Sequence, residues 1–352
     1  AAIQAAMYGC GVRTGDEIIC QSMTFWASAL QVFSLGGTVV FAEMDPETLT
    51  LDAADIEHRI TDRTKAIVVV HYCGYPTDMD PIMKIAVHHG IKVIEDVSHA
   101  QGGLYKGRLL GTIGDVGAMS IMSGKSLACG EGGFLITDDR KIYERALTFG
   151  EYLRSEPLED PELRALAGMP LGGYKYRMHQ LSSAMGRVQL RRYRERMVVI
   201  QQAMTYFWDQ LRGLPGIKPH MPPPSSGSTM GGWYSAHALY VAEELSGLSV
   251  ARFCEAVNAE IESGGWKLIP GGSPLMHLHP ILNEADIYGH GKPTRIANSD
   301  RDLRQTAGAL PVTESLPERC FSIPWFKHHR PEIIDLYAEA FRKVVANHEQ
   351  LL

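Results

Sequence analysis

No apolar run in this chain approaches the roughly 18 residues that a membrane-crossing helix needs, so no transmembrane helix is expected. An excess of one charge sign is lacking too. A net charge of −6 on 352 residues leaves no electrostatic case for nucleic acid or an anionic membrane as partner. The six cysteines (Cys10, Cys20, Cys73, Cys129, Cys254 and Cys320) form no C-x-x-C pair. That argues against a zinc site or a disulfide framework and for reduced thiols in a cytoplasmic protein. No G-x-G-x-x-G opens a helix after a strand with a ribose-binding acid to follow, so a nicotinamide-dependent dehydrogenase is a weak candidate. No internal repeat or low-complexity tract stands out, and no secretory leader is visible. What is there is the composition of an ordinary globular protein, 45% hydrophobic and 21% charged, long enough for more than one domain.

Up to about residue 150, short apolar stretches alternate with helical segments. Residues 17–20, 38–42, 66–71 and 92–95 have strand patterns, and this alternation predicts an α/β fold with a mostly parallel central sheet flanked by helices. Residues 140–150 read as a helix closed by a glycine. Residues 155–170, acidic and proline-bearing, read as a surface excursion. A long helix is expected from 179 to about 211, with Leu181, Met185, Val188 and Tyr193 tracing one face. Its arginines (Arg187, Arg191, Arg192, Arg194 and Arg196) read as a solvated or interface face. Residues 215–232 are rich in Pro, Ser and Gly and read as a linker or turn cluster. Beyond them, a strand at 233–241 and helices at 250–261 and 331–345 make a smaller C-terminal α+β domain. The expected division is therefore 1–213 and 214–352.

The segment from Ser120 to Gly133 reads Ser-Ile-Met-Ser-Gly-Lys-Ser-Leu-Ala-Cys-Gly-Glu-Gly-Gly. Apolar runs at 116–121 and 134–137 flank it, which puts Lys125 in an irregular turn at the mouth of a sheet. A lone lysine near glycines is ordinarily a solvated surface residue. At a sheet mouth, burial can lower its pKa until the amine is a nucleophile able to form a Schiff base. Upstream, Val93-Ile94-Glu95-Asp96 is a buried-strand pattern ending in an acid, and ligands of open α/β sheets bind beyond the carboxyl ends of the strands. An Asp at such a place is most often a turn former. It is also the group that, paired with a pyridinium nitrogen, makes pyridoxal phosphate an electron sink. Strand alternation turns Glu95 to the opposite side. His277, His279 and His290 could make a metal site by count, but no carboxylate or thiol partner lies nearby, and no metal is expected.

Several of these segments together resemble one family. Gly15-Asp-Glu-Ile-Ile-Cys20 with Thr24-Phe25, Asp62-Arg-Thr-Lys-Ala-Ile67 with Val70-His71 and Gly74-Tyr-Pro76, and Ile94-Glu-Asp96 through Gly111-Thr and Gly114-Asp115 are similar to its signatures. So are Ser120, Lys125, Gly130-Glu-Gly-Gly133, Tyr176-Arg177 and Ala184-Met-Gly-Arg-Val-Gln-Leu190. The family is the DegT/DnrJ/EryC1/StrS group of sugar and cyclitol aminotransferases, fold-type I pyridoxal phosphate enzymes. The resemblance runs along nearly the whole chain.

It implies that Lys125 forms the internal aldimine and later shuttles a proton between the substrate carbon and the cofactor C4′. Asp96 would hold the pyridine nitrogen protonated, His99 would lie near the phenolic oxygen, Phe25 would stack on the ring and Ser120 would bind the phosphate. Lys175, standing where many relatives have Asn, would reach the phosphate of the partner subunit in a homodimer. Tyr176, Arg177, His277 and His279 are candidates for holding substrate. The family's Gly-Thr-x-Ala phosphate turn precedes the segment that here begins Ala1-Ala-Ile-Gln-Ala, so a chain lacking its N-terminal part is expected. The activity implied is transfer of an amino group from glutamate or glutamine to a keto-sugar (nucleotide-linked) or a keto-cyclitol, by ping-pong kinetics. A non-catalytic regulator that binds the cofactor or a sugar is the alternative. Dehydratase relatives carry His in place of the lysine, and Lys125 argues against that chemistry.

Overall fold

Runs of aliphatic and β-branched residues set the strands, and a polar or glycine residue ends each of them. In the computed structural model, which describes residues 1–150, 158–261 and 265–352, the first half of the chain alternates helix and strand. The elements are α1 (Ala2–Gly9), β1 (Glu17–Gln21), β2 (Thr38–Ala42), α2 (Ala53–Arg59), β3 (Thr64–Val70), α3 (Met79–His89) and β4 (Lys92–Asp96). A small hairpin of β5 (Leu104–Tyr105) and β6 (Arg108–Leu109) follows, then β7 (Val116–Ser120), β8 (Gly133–Ile136) and α4 (Arg140–Gly150). Six of these strands form one sheet in the order β2-β1-β3-β4-β7-β8. All pairings are parallel except β7 with β8. β1 and β2 are buried along their whole length, as a parallel sheet covered on both faces requires. Ile18, Val39, Val68 and Ile94 face one apolar cluster; Ile19, Val40, Ile67 and Val93 face the other.

After α5 (Pro161–Ala165), the long helix α6 (Gln180–Gln210) leads to a second unit. It holds β9 (Ile217–Pro219), β10 (His237–Tyr240), α7 (Val250–Glu260), β11 (Ile269–Pro270), α8 (Pro280–Asn283), α9 (Pro311–Ser315), β12 (Cys320–Ser322) and α10 (Pro331–Ala346). The four strands pair antiparallel in the order β11-β12-β10-β9. Phe253, Phe321 and Phe341 build the core of this unit, and the last turns of α6 contribute Met204, Phe207 and Trp208 to it. Met276, Leu282 and Leu310 instead pack back onto the core of the large sheet.

Three local readings need correction. The strand expected at 233–241 is only β10, because Trp233 (φ 55°) and Ser235 (φ 56°) adopt left-handed backbone that interrupts extension. The stretch at 215–232 is more than a linker: β9 lies in it, and Thr229 bridges to Leu104. On α6, Tyr193 is buried, whereas Leu181, Met185 and Val188 are 74%, 51% and 51% exposed. Of the surface excursion expected at 155–170, residues 155–157 lie outside the described residues, and α5 occupies part of the rest. No helix among the described residues is long and apolar enough to cross a membrane.

Candidate active site

The carboxyl ends of β1, β4 and β7 open on one cavity of about 510 Å3. Thr24, Phe25 and Ser28 enter it from the segment after β1, Asp96, Ser98 and His99 from the end of β4, and Ser120 and Lys125 from the loop after β7. The structure thus brings Lys125, Asp96, Phe25, His99 and Ser120 to a single site. Asp96 is buried, and its two oxygens are fixed separately: Ser28 Oγ donates to Oδ2 at 2.7 Å and the Ser98 backbone N–H to Oδ1 at 3.0 Å. Among the described residues no ion pair engages this carboxylate. Lys125 is half-buried, and burial lowers its ammonium to about 8 against the opposing pull of Asp96. An amine of that pKa is still mostly charged near pH 7 but has a far larger neutral fraction than an ordinary lysine, which a nucleophile or proton shuttle needs.

His99 is tied to a strained turn. Cys73, in left-handed backbone (φ 53°), points its N–H at His99 Nδ1 (3.2 Å). Burial, with Lys125 and His237 adding to it, holds the imidazole well below its usual range. The ring is therefore neutral, and because Nδ1 accepts a hydrogen bond its proton sits on Nε2. Phe25 presents a ring that is 54% exposed on the wall of the cavity. Thr24 Oγ1 is buried on the same wall without a hydrogen-bond partner.

Residues outside the expected set hold this arrangement. Gln101 Nε2 donates to the Ser120 carbonyl (2.6 Å), while Gln101 Oε1 accepts from Ser126 Oγ and the Leu127 N–H (both 2.7 Å). The Tyr193 hydroxyl, reaching over from α6, donates to the Gln101 carbonyl at 2.8 Å and meets Ser126 Oγ at 2.8 Å. The lysine loop is thereby clamped to the long helix. On the far face of β4, Glu95 accepts from the N–H groups of Gly111, Ile113 and Gly114 and from His71 Nε2. Tyr234 also lines the cavity, with its ring under Lys125 Nζ at 4.0 Å from the centroid. Gly231 and Gly232 shortly before it mark a turn in the sequence, but not the aromatic as a site residue.

Lys175, Tyr176 and Arg177 line a neighbouring cavity of about 500 Å3 that shares Ala1, Glu131, Gly132 and Gly133 with the first. Tyr176 hydrogen-bonds Gln4 through its hydroxyl. The expectation that His277 and His279 hold substrate is not supported by their placement, since neither lines either cavity. His277 is fully buried, with its ring nitrogens engaged by Ser22 Oγ (2.7 Å) and Glu314 Oε1 (3.0 Å). His279 caps α8, accepting from the Ile281 N–H.

The profile of the DegT/DnrJ/EryC1/StrS aminotransferase family matches residues 1–261. The chain belongs to this family. GDP-perosamine synthase of Caulobacter vibrioides is 31% identical over 88% of the chain and 82% of that protein. L-glutamine:scyllo-inosose aminotransferase of Streptomyces griseus is 31% identical over 99% of the chain and 80% of that protein. Among solved structures, an aminotransferase from Psychrobacter cryohalolentis superposes with a TM-score of 0.80 at 25% identity, covering 99% of this chain and 85% of that one. The fold of this DegT/DnrJ/EryC1/StrS member is accordingly that of the pyridoxal phosphate aminotransferases, with the cavity at the carboxyl edge of its parallel strands.

Proposed function

We propose that the protein is a pyridoxal phosphate-dependent transaminase that moves an amino group from glutamate or glutamine to a keto-sugar, nucleotide-linked, or to a keto-cyclitol. The observation that carries this reading is one cavity holding an amine of pKa about 8, Lys125, and the buried carboxylate of Asp96, which no ion pair engages among the described residues. The residues fit the cofactor. The cavity volume lies within the range of small-ligand sites, about 300–1,000 Å3. Thr24 Oγ1 is an orphaned buried hydroxyl awaiting a polar partner, and Ser120 Oγ stands on the same lining.

Pyridoxal phosphate would supply a carbon that bonds to amines and a ring that accepts the electron pair released at the substrate carbon. Lys125 would bond to that carbon and move the proton at the substrate carbon. Asp96, oriented by Ser28 and Ser98, would keep the ring nitrogen protonated. The Nε2–H of His99 would donate to the phenolic oxygen, and Phe25 would lie against the ring. We further propose a homodimer in which Lys175 of the partner subunit reaches the phosphate. The exposed apolar side chains Leu181, Met185 and Val188 on the first turns of α6 support such a contact. Tyr176 and Arg177, beside the cavity, are proposed to meet the substrate. Six buried, unpaired cysteines support a reducing, cytoplasmic setting.

Added pyridoxal phosphate should give the protein a visible absorbance band that glutamate or glutamine bleaches. Lys125→Ala should abolish the band. Wild-type protein without a band would sink the transaminase reading; a band that neither donor bleaches would favour the non-catalytic alternative.

A further inference from the structure

The Lys125 amine rests on an aromatic face. Its Nζ lies 4.0 Å from the centroid of the Tyr234 ring, and among the described residues no hydrogen bond or ion pair engages it. We propose that Tyr234 is the seat of the Lys125 ammonium, a positioning residue that holds the amine charged and in place whenever it is not bonded to another group. The use of that seat in a reaction rests on the transaminase reading; the seat itself does not.

The presentation of Tyr234 is imposed by its neighbours. Trp233 and Ser235 on either side are non-glycine residues in left-handed backbone, which side chains rarely adopt without a compensating constraint. Trp233 is fully buried, its indole N–H donating to Gln201 Oε1 on α6 at 2.7 Å. The Ser235 carbonyl meets His237 Nδ1 at 2.7 Å. Before them, Gly232 lies so close to the lysine loop and α6 that a Cβ would come within 2.3 Å of Ser126 and 2.6 Å of the Tyr193 hydroxyl. The Tyr234 ring itself is wedged 4.9 Å from His99 and 5.7 Å from an edge-on Trp325. These contacts fix the ring that Lys125 Nζ overlies.

An aromatic face attracts a cation and leaves a neutral amine nearly unaffected. The ring thus favours the charged lysine and opposes the burial that lowers its pKa. The other titratable side chains lining the cavity are Asp96, Glu131 and His99. His99 is held neutral, and burial raises the Tyr234 hydroxyl, so neither supplies an anion.

The test is competitive labelling of the full chain with trace acetic anhydride across pH, reading Lys125 by mass spectrometry, without added cofactor. Tyr234→Leu keeps an apolar wall but removes the ring, and should move the Lys125 midpoint down by about one unit. Tyr234→Phe keeps the face and should follow wild type. Tyr234→Met is a second ring-free variant should the leucine protein not fold. A ring-free profile that superimposes on wild type overturns the proposal, as does a phenylalanine variant that falls with leucine. A ring-dependent midpoint in a protein that shows no visible band with pyridoxal phosphate would overturn the transaminase reading and leave the seat standing.

Discussion

Lys125 couples the chemistry of the site to the stability of the fold. Its pKa is about 8 in the folded chain against 10.5 when unperturbed, so between those values the unfolded chain binds the extra proton. The lysine therefore weakens the fold below about pH 8, and the loss fades as pH rises toward 10.5. Lys125→Met, which keeps an apolar stem without the charge, should stabilise the protein at neutral pH by about 2 kcal/mol, and by much less above the unfolded pKa. Urea unfolding on either side of that window checks this; an equal gain at both ends would exclude charge as the cause. Lys125 and Asp96 were legible in the sequence, because each lies in or just after a segment with a strand pattern; Phe25, His99 and Ser120 were legible only through the family resemblance. Ser28, Gln101 and Tyr234 were not. Their importance comes from contacts made by chain folding, and left-handed backbone at Trp233 and Ser235 leaves no mark in residue type.

At the level of elements, β4 carries an acid on each face. Asp96 turns to the cavity, while Glu95 gathers three backbone N–H groups and His71 Nε2–H under the turn at 111–114. Burial raises the Glu95 carboxyl, but His71 and the backbone donors outweigh it, leaving the pKa below the usual 4.5. A depressed folded pKa contributes stability above the unfolded value and loses it as pH falls through the folded one. Glu95→Gln should thus cost about 3 kcal/mol at neutral pH, since an amide cannot accept from all four donors. Thermal melts through the acid range should show the difference from wild type shrinking as pH falls below 4.5; a constant difference would contradict the assignment. The six strands of the large sheet were legible to within two residues, because continuous apolar runs mark buried strands. The antiparallel direction of β8 was not, since direction is a property of the connection and leaves the strand pattern unchanged.

For the whole molecule, α6 is the joining piece: its middle holds the lysine loop through Tyr193, and its last turns enter the core of the second unit. Its first turns expose Leu181, Met185 and Val188 beside the segment that carries Lys175. If this face seats a second copy, Leu181→Asp with Met185→Asp should convert a dimer to a monomer and weaken pyridoxal phosphate binding by at least tenfold, or about 1.4 kcal/mol. Light scattering after size exclusion checks the first effect and absorbance titration the second. A double variant that stays dimeric would move the interface elsewhere. The six thiols, finally, are spread through this architecture, with Cys10 after α1, Cys20 in β1, Cys73 against His99, Cys129 in the lysine loop, and Cys254 and Cys320 in the second unit. All are buried, and burial pushes every one of them above the usual thiol range. A thiol reagent meets them only when their surroundings open, so the chain carries its own set of clocks, each timing the opening of a different part of the fold.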